Sequence, residues 1–411
     1  MSERPEQLPG ATDQGDDERV VMHVDMDCFY AACERLREPT LEGEPVVVGM
    51  GYEEGENIGA VATASYEARE HGIESAQGIS TALERLPRMA DAGPDEPAAY
   101  YRPVDMEFYE SVAEEVRAVL DDLADTVRAV SIDEAYLDVS ERTDWTVAEG
   151  YARHIKDRID REVGVTASVG VAPTMSAAKV ASDHDKPDGL VVVTPGEVRA
   201  FFAPLDVEAV HGVGPVTAGT LREAGIETAG DLAAASPHEI TAMIGDRGRE
   251  LQRRARGVDP RPVEPTGRPK SLSRESAFAE PTDDPETLHS RVQTLAEAVA
   301  DRAARRDALY RTIGIKVVEP PFEVHTRERS LPGPVEDPTL LETVAVDLFE
   351  EFDGRTVRKV GVRVSNLSFT SGEQARLSAW ADDTGVEATG DTGQRRWGGQ
   401  TALEEFSDTN R

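Results

Sequence analysis

The sequence predicts an α+β protein built from several domains. Three observations carry that prediction. An apolar run, Val20 to Val24, ends in acids at Asp25 and Asp27 and turns helical at Ala31 and Ala32, which reads as a buried strand followed by a helix. Val210-His211-Gly212-Val213-Gly214 stands between two helical runs, the pattern of a helix-hairpin-helix. From Ser271 to Phe369 the elements follow the order β-α-β-β-α-β, an open sheet with helices on one face. At 411 residues the chain has room for several cores.

In chain order, residues 1–18 are acidic, lack an apolar run and are expected to form a disordered lead-in. Asp25 and Asp27 are two apart and should face one side of the first strand. Acids at the end of an apolar strand are costly to desolvate without a cation or partner. As a lone feature the pair reads better as an ordinary solvated strand end. A second stretch, VRAVSIDEAYLDV (Val127 to Val139), is also strand-like and carries Asp133 and Glu134 at its centre. Two such strands, once paired, would converge three carboxylates. That suits Mg²⁺, a hard cation that takes oxygen ligands and shares them with substrate phosphates. Two ions could activate a 3′-hydroxyl and stabilise a departing pyrophosphate.

Between these stretches, GEPVVVGMG reads as a buried strand, and NIGAVATASYEAREHGI as a strand running into a helix near Ser65. Tyr66 and Arg69 then share a helix face. An Arg and a phenol near a helix start suit a triphosphate, and equally an exposed surface pair. The acidic loop MADAGPDEPAA has no assigned role. PVDMEFYESVAEEVRAVLDDL is amphipathic, with Phe108, Val112, Val116 and Val119 on one stripe. VAEGYARHIKDRIDREVG is a helix, and VTASVGVAPTMSAAKVASD reads as strand, turn and helix; His184 beyond it is a surface residue. LVVV is a short strand and PGEVRAFFAPL a helix. Gly212 and Gly214 would let backbone N–H groups approach a DNA phosphate, although Gly-x-Gly before a helix is also a plain turn. MIGDRGRELQRRARG supplies a basic helix, and RGVDPRPVEPTGRP a Pro-rich linker.

In the C-terminal part, Leu288, Val292, Leu295 and Val299 form the buried stripe of its first helix. Ile313, Ile315 and Val317 alternate with Thr312, Gly314 and Lys316, so one sheet face should be polar and free to meet a ligand. Residues 268–371 hold 15 Lys plus Arg against 18 Asp plus Glu, near charge balance, whereas the whole chain carries −35. Phosphate contact needs such a balance, and Arg274, Arg327, Arg329, Arg358 and Arg363 are the strand-borne candidates. Residues 372–411 are rich in Gly, Asp and Thr and are expected to be disordered until bound.

The chain has 79 acidic against 44 basic residues, and only six of the latter are lysines. DNA-binding proteins are ordinarily basic. Here the acid is spread along the whole chain, which reads as a surface for concentrated salt and points to a halophile; an acidic protein that avoids nucleic acid is the alternative. Cys28 and Cys33, five apart across a strand-to-helix junction, are poorly placed for a disulfide and fit packing roles in a reduced cytoplasm. No apolar run reaches transmembrane length and no signal-type segment opens the chain, so a cytoplasmic protein without membrane contact is expected.

Four motifs make the reading specific. VDMDCFYAACE, ATASYEAR (Ala62 to Arg69), SIDEAYLD (Ser131 to Asp138) and KVASDHDKPDG (Lys179 to Gly189) occur in this order. They resemble the palm and finger motifs of Y-family DNA polymerases, in the DNA polymerase IV branch, and the likeness runs from about Arg19 to about Phe369. The resemblance implies a right-hand polymerase. Its palm would be 19–37 and 98–188, its fingers 38–97, its helix-hairpin-helix thumb 189–265, its DNA-binding little finger 268–371, and its tail 372–411. It implies a template-directed translesion enzyme that adds dNTPs to a primer 3′ end by two-metal transfer, with low fidelity and no proofreading domain. Asp25, the Met26 carbonyl, Asp133 and Glu134 would hold two Mg²⁺ ions. Tyr30 would be the steric gate against a ribose 2′-hydroxyl. Tyr66, Arg69 and Lys186 would hold the nucleotide, with help from Lys179. Gln400, Leu403 and Phe406 have the spacing Q-x-x-L-x-x-F, similar to motifs that dock on PCNA-type sliding clamps, although Ser407 stands where a second aromatic is usual. The implied partners of this monomer are primer-template DNA, dNTPs and a clamp. A family member without catalysis is disfavoured by the presence of Asp25, Asp133 and Glu134. An unrelated Mg²⁺-dependent phosphohydrolase is disfavoured by Tyr66, Arg69 and Lys186.

Overall fold

The computed structural model describes residues 19–369. They fall into two compact units that divide between Thr266 and Gly267, inside the expected Pro-rich linker. The lead-in 1–18 and the tail with Gln400, Leu403 and Phe406 lie outside the described residues.

The first unit opens with β1 (Val21–Met26) and α1 (Phe29–Arg37). Next come β2 (Val46–Met50), β3 (Ala60–Ala64), α2 (Tyr66–Glu70), α3 (Ile79–Arg85) and β4 (Tyr100–Pro103). These three strands form a small sheet in the order β3-β2-β4, closed over Val47, Val61, Ile79, Leu86 and Tyr101. Ser65 starts α2 where expected, its side chain accepting from Ala68 N–H.

The chain then returns through α4 (Met106–Leu123), β5 (Thr126–Ala129), β6 (Glu134–Asp138), α5 (Ala148–Val163), β7 (Ala167–Ala172), α6 (Met175–His184) and β8 (Leu190–Val192). The result is a five-stranded sheet in the order β5-β6-β1-β7-β8. Because β8 pairs in parallel with β7, this sheet runs past residue 188 to Val192. All six residues of β1 are buried, as its apolar run requires of a central strand. Met22, Val24 and Met26 pack into the core built with α4 and α5. By alternation Val21, His23 and Asp25 face the other side, where α6 lies. Gly170 lets α6 come that close: a Cβ there would stand 2.1 Å from the Ala178 carbonyl oxygen. On α4 the buried aromatic is Tyr109, not Phe108, whose ring packs at the margin under the Arg37 guanidinium.

The stretch from Val127 to Val139 is not one strand. β5 ends at Ala129, residues 130–133 turn, and β6 begins at Glu134 and pairs back on β5. Ser131 makes this turn: its hydroxyl oxygen accepts from the Asp133 and Glu134 N–H groups.

Five helices complete the unit: α7 (Val198–Phe202), α8 (Pro215–Glu223), α9 (Ala229–Ala234), α10 (Pro237–Ile244) and α11 (Arg247–Ala255). They bury Phe202, Leu221, Leu232, Ile240 and Leu251. The second unit has the expected order, β9 (Ser271–Thr282), α12 (Pro285–Ala304), β10 (Tyr310–Glu319), β11 (Glu323–Val335), α13 (Pro338–Phe349) and β12 (Val357–Ser365). Its antiparallel sheet runs β11-β10-β12-β9. Leu288, Val292 and Val344 of the helices pack against Ile313, Ile315 and Val362. No described helix is long and apolar enough to cross a membrane.

Candidate active site

The register of β1 against β6 sets Asp25 directly opposite Glu134. α6 and the loop after it bring two lysines to the pair. Lys179 Nζ lies 3.0 Å from Asp25 Oδ2 and 2.9 Å from Glu134 Oε2. Lys186 Nζ lies 2.7 Å from Asp25 Oδ1, and Asp183 touches both lysines. Each Asp25 oxygen therefore carries one ammonium. Burial alone would raise the Asp25 carboxyl, but the two lysines outweigh it and hold the group below the usual range. Glu134 is half-buried, yet His23 and Lys179 bring it down to about 2. Lys179 is raised, because Asp25, Asp183 and Glu134 overcome its own burial.

Asp133 behaves differently. It sits in the 130–133 turn, which is tied to the end of β1 by Met26 N–H donating to the Asp133 carbonyl at 2.9 Å. Its carboxylate accepts a hydrogen bond from the Ser131 hydroxyl, and its pKa is raised by burial, with the charges of Asp25 and Glu134 adding to the effect. The tight cluster is instead His23, Asp25 and Glu134, whose ligand atoms all lie within 4.8 Å of one another. His23 was missing from the sequence analysis. The signal was present: it stands two residues before Asp25 and so shares its strand face.

Asp27 does not face the site with Asp25. β1 ends at Met26, and the Asp27 carboxylate accepts from Ser168 Oγ at 2.9 Å, Asp188 N–H at 2.7 Å and the Tyr66 hydroxyl at 3.1 Å. It thereby joins α2 to β7 and to the loop holding Lys186. The Arg69 guanidinium lies over the Tyr66 ring, 4.6 Å from its centroid, and Arg69 Nε donates to the Ala64 carbonyl. Tyr30 stacks on Tyr109 with centroids 4.6 Å apart and planes 18° from parallel. The Tyr109 hydroxyl donates to the buried Glu34 at 2.6 Å.

The sequence model of the impB/mucB/samB family matches residues 24–183, and that of its C-terminal domain matches 269–377. A curated relative named DNA polymerase IV, from Halobacterium salinarum, is 62% identical over 98% of this chain and 99% of its own. One from Methanoculleus marisnigri is 41% identical over 87% of this chain and 97% of its own. The chain belongs to the impB/mucB/samB family of Y-family DNA polymerases. It is accordingly a DNA-directed DNA polymerase. Among solved structures, a Y-family chimera of Dbh and Dpo4 is 29% identical, with a TM-score of 0.75 over 85% of this chain and all of its own. DinB from Sulfolobus solfataricus is 27% identical at a TM-score of 0.58, over 85% of this chain and all of its own.

Within this Y-family polymerase, residues 205–248 also match a tandem helix-hairpin-helix model. Gly212 turns the hairpin with φ at +98°, which favours glycine, and Gly214 caps α8. The basic helix α11 braces that hairpin: Arg254 Nη1 donates to the His211 carbonyl at 2.8 Å and Arg247 Nη2 to the Gly212 carbonyl at 2.6 Å. The second unit divides its five strand-borne arginines between the sheet faces. Cross-strand register places only Arg363 on the polar sheet face, opposite Gly314. Lys316 and Lys359 share that face and hold Glu275 between them. Arg327 and Arg329 lie on the helix-covered face and pair with Glu351 and Asp347 around α13. Arg274 stands opposite Val362, also on the helix side. Arg358 sits beside a bulge in β12 with its guanidinium 4.1 Å over the Phe322 ring.

Proposed function

We propose that this polymerase is a translesion enzyme: it holds primer-template DNA, selects a dNTP, and joins it to the primer 3′ end with two Mg²⁺ ions. The observation that carries this reading is the pairing of Asp25 with Glu134 under two lysines. Buried carboxylate oxygens matched by ammonium groups are a set of hard donors awaiting positive charge, and that fits a divalent, oxygen-seeking cation. Asp25, Asp133, Glu134 and the Met26 carbonyl are the residues that would hold it. A divalent ion held by these groups would supply activation of a 3′-hydroxyl and charge stabilisation for a departing pyrophosphate. The lysines, once relieved of the carboxylates, are free to grip the triphosphate, with Lys186 in the leading role. Tyr66 and Arg69 meet the same anion from α2, and Tyr30 closes the sugar side. The 19–37 and 98–188 segments serve as palm, 38–97 as fingers, 189–265 as thumb and 268–371 as little finger. Gly212 and Gly214 would offer backbone N–H groups to DNA phosphate, and Arg363 a charge on the open sheet face. Copying is of low fidelity and without a proofreading domain, by a monomer in the cytoplasm.

Primer extension tests the reading. With Mg²⁺ and single dNTPs, the chain should add the nucleotide that the template base directs in preference to the other three, and should continue past a damaged base. Nucleotide hydrolysis without primer growth would indicate a phosphohydrolase, and DNA binding without growth a scaffold.

The charge of −35 leads to a second expected result. An acidic surface self-repels in dilute buffer and is screened by salt. Melting temperature and extension rate should both rise from low salt to molar KCl. An optimum at low ionic strength, with loss at molar KCl, would contradict the halophilic reading.

Phosphate contacts weaken steeply with salt, so a polymerase working in it benefits from a tether. Gln400, Leu403 and Phe406 have the spacing to supply one, since one helical turn would put Leu403 and Phe406 in a single clamp pocket. Tethering raises effective concentration without touching the active site. Deleting 400–411 should leave single-nucleotide insertion unchanged and abolish stimulation by a PCNA-type clamp. Equal stimulation of the truncated and full chains would refute the tether.

A further inference from the structure

We propose that His23 is a positioning residue for Glu134, a role that rests on the reading of Asp25 and Glu134 as cation-binding carboxylates. His23 is 0% exposed. Its ring is fixed on two sides. Nδ1 lies 2.8 Å from Ser182 Oγ, and the Tyr136 ring meets it edge-on at 4.6 Å. The free end of the ring is aimed at the site. Nε2 is buried without a hydrogen bond, 3.3 Å from Glu134 Oε2.

A bare Nε2 would set its lone pair against a carboxylate oxygen, an arrangement that nothing offsets. A protonated Nε2 turns the same contact into a donor. A neutral ring carries one N–H, so an Nε2 donor requires Nδ1 to accept from the Ser182 hydroxyl, whose proton then turns from the Lys179 carbonyl, also 2.8 Å from Oγ, to the ring. Lys179 Nζ, 2.9 Å away, now holds the same Glu134 oxygen, so the histidine is a reserve partner. When a cation relieves Lys179, His23 remains to hold Oε2 and fix the carboxylate's orientation. Hydrogen-bonded carboxylate ligands of this kind lose affinity when the outer partner is removed, by about 10–100-fold. Ser182 on α6 thus sits between the histidine that steadies Glu134 and the backbone of the lysine that shields it.

The test reads metal binding as well as turnover. Mn²⁺ is titrated into the full chain with primer-template ending in a dideoxynucleotide and the matching dNTP, and free Mn²⁺ is followed by electron paramagnetic resonance. His23→Phe keeps the ring and removes the donor; Mn²⁺ binding should weaken about 10-fold or more, with primer-template affinity unchanged. His23→Gln places an amide N–H near the Nε2 position and should recover most of the loss. Ser182→Ala loosens the ring and should shift binding the same way by less, and it carries the test should His23→Phe not fold. Wild-type Mn²⁺ affinity in a folded His23→Phe protein, or a His23→Gln protein as weak as His23→Phe, would overturn the proposal. So would ¹⁴N coupling to bound Mn²⁺, which would make His23 a direct ligand. Glu134→Gln separates the two levels: if it leaves Mn²⁺ binding intact, the carboxylate site itself is wrong, whereas if it abolishes binding and His23→Phe keeps wild-type affinity, only the histidine's role fails.

Discussion

Asp133→Asn should slow nucleotide insertion by about 10²–10⁴-fold while melting no earlier than the wild type. The two halves of this result have separate causes. A cation's stabilisation of transition-state charge is worth several kcal/mol, and each 1.36 kcal/mol is about tenfold in rate. Losing one charged ligand forfeits a large part of that. For stability, Asp133 is the one member of the predicted carboxylate set on which no lysine is seated, and burial together with Asp25 and Glu134 raises its pKa. An amide of the same shape can still accept from Ser131 and removes a buried charge at little cost. Asp25→Asn should be as inactive but less stable, because Lys179 and Lys186 would lose the carboxylate that each now grips. Single-turnover insertion and thermal melting, measured on both variants, check the contrast. Near wild-type insertion by Asp133→Asn would remove Asp133 from the site.

Tyr30→Ala should raise ribonucleotide incorporation relative to dNTP use by on the order of 10²-fold, the scale on which a pocket wall rejects one extra hydroxyl. The ring is held for that task. It stacks on Tyr109, whose hydroxyl is anchored on the buried Glu34, so it cannot yield to a bulkier sugar without breaking that chain. Tyr30→Phe keeps the stack and should keep the discrimination. The Ala variant should also lose about 2 kcal/mol of stability through the emptied stack. Competition between each dNTP and its ribonucleotide gives the ratio directly. Unchanged discrimination in Tyr30→Ala would leave the ring a packing role alone.

What the sequence made legible follows from how local each signal is. The apolar run of β1 was enough to announce a buried strand with Asp25 near its end. The β-α-β-β-α-β order of the second unit could be read because periods of 2 and 3.6 alternate cleanly there. The turn at Ser131 was hidden, because Val127 to Val139 is apolar enough to pass for one strand. Its break depends on a serine side chain competing for backbone donors. The face taken by the arginines of β11 was not legible for a related reason. Thr326, Arg327, Glu328 and Arg329 are polar on both faces, so alternation says nothing about which side meets the helices; only the register against β10 decides it. His23 was overlooked because a histidine inside an apolar run ordinarily passes as core. Its meaning comes from Glu134, more than a hundred residues away.

The carboxylates now gripped by Lys179 and Lys186 should form a two-cation site. The most direct test is a crystal structure with primer-template, an unreactive dNTP analogue and Mn²⁺, read by anomalous scattering. Two Mn²⁺ peaks about 3.5–4 Å apart are expected, bounded by Asp25, Asp133 and Glu134, with both lysines withdrawn from Asp25. Mn²⁺ bound elsewhere, or the lysines still seated on Asp25 with nucleotide in place, would contradict it.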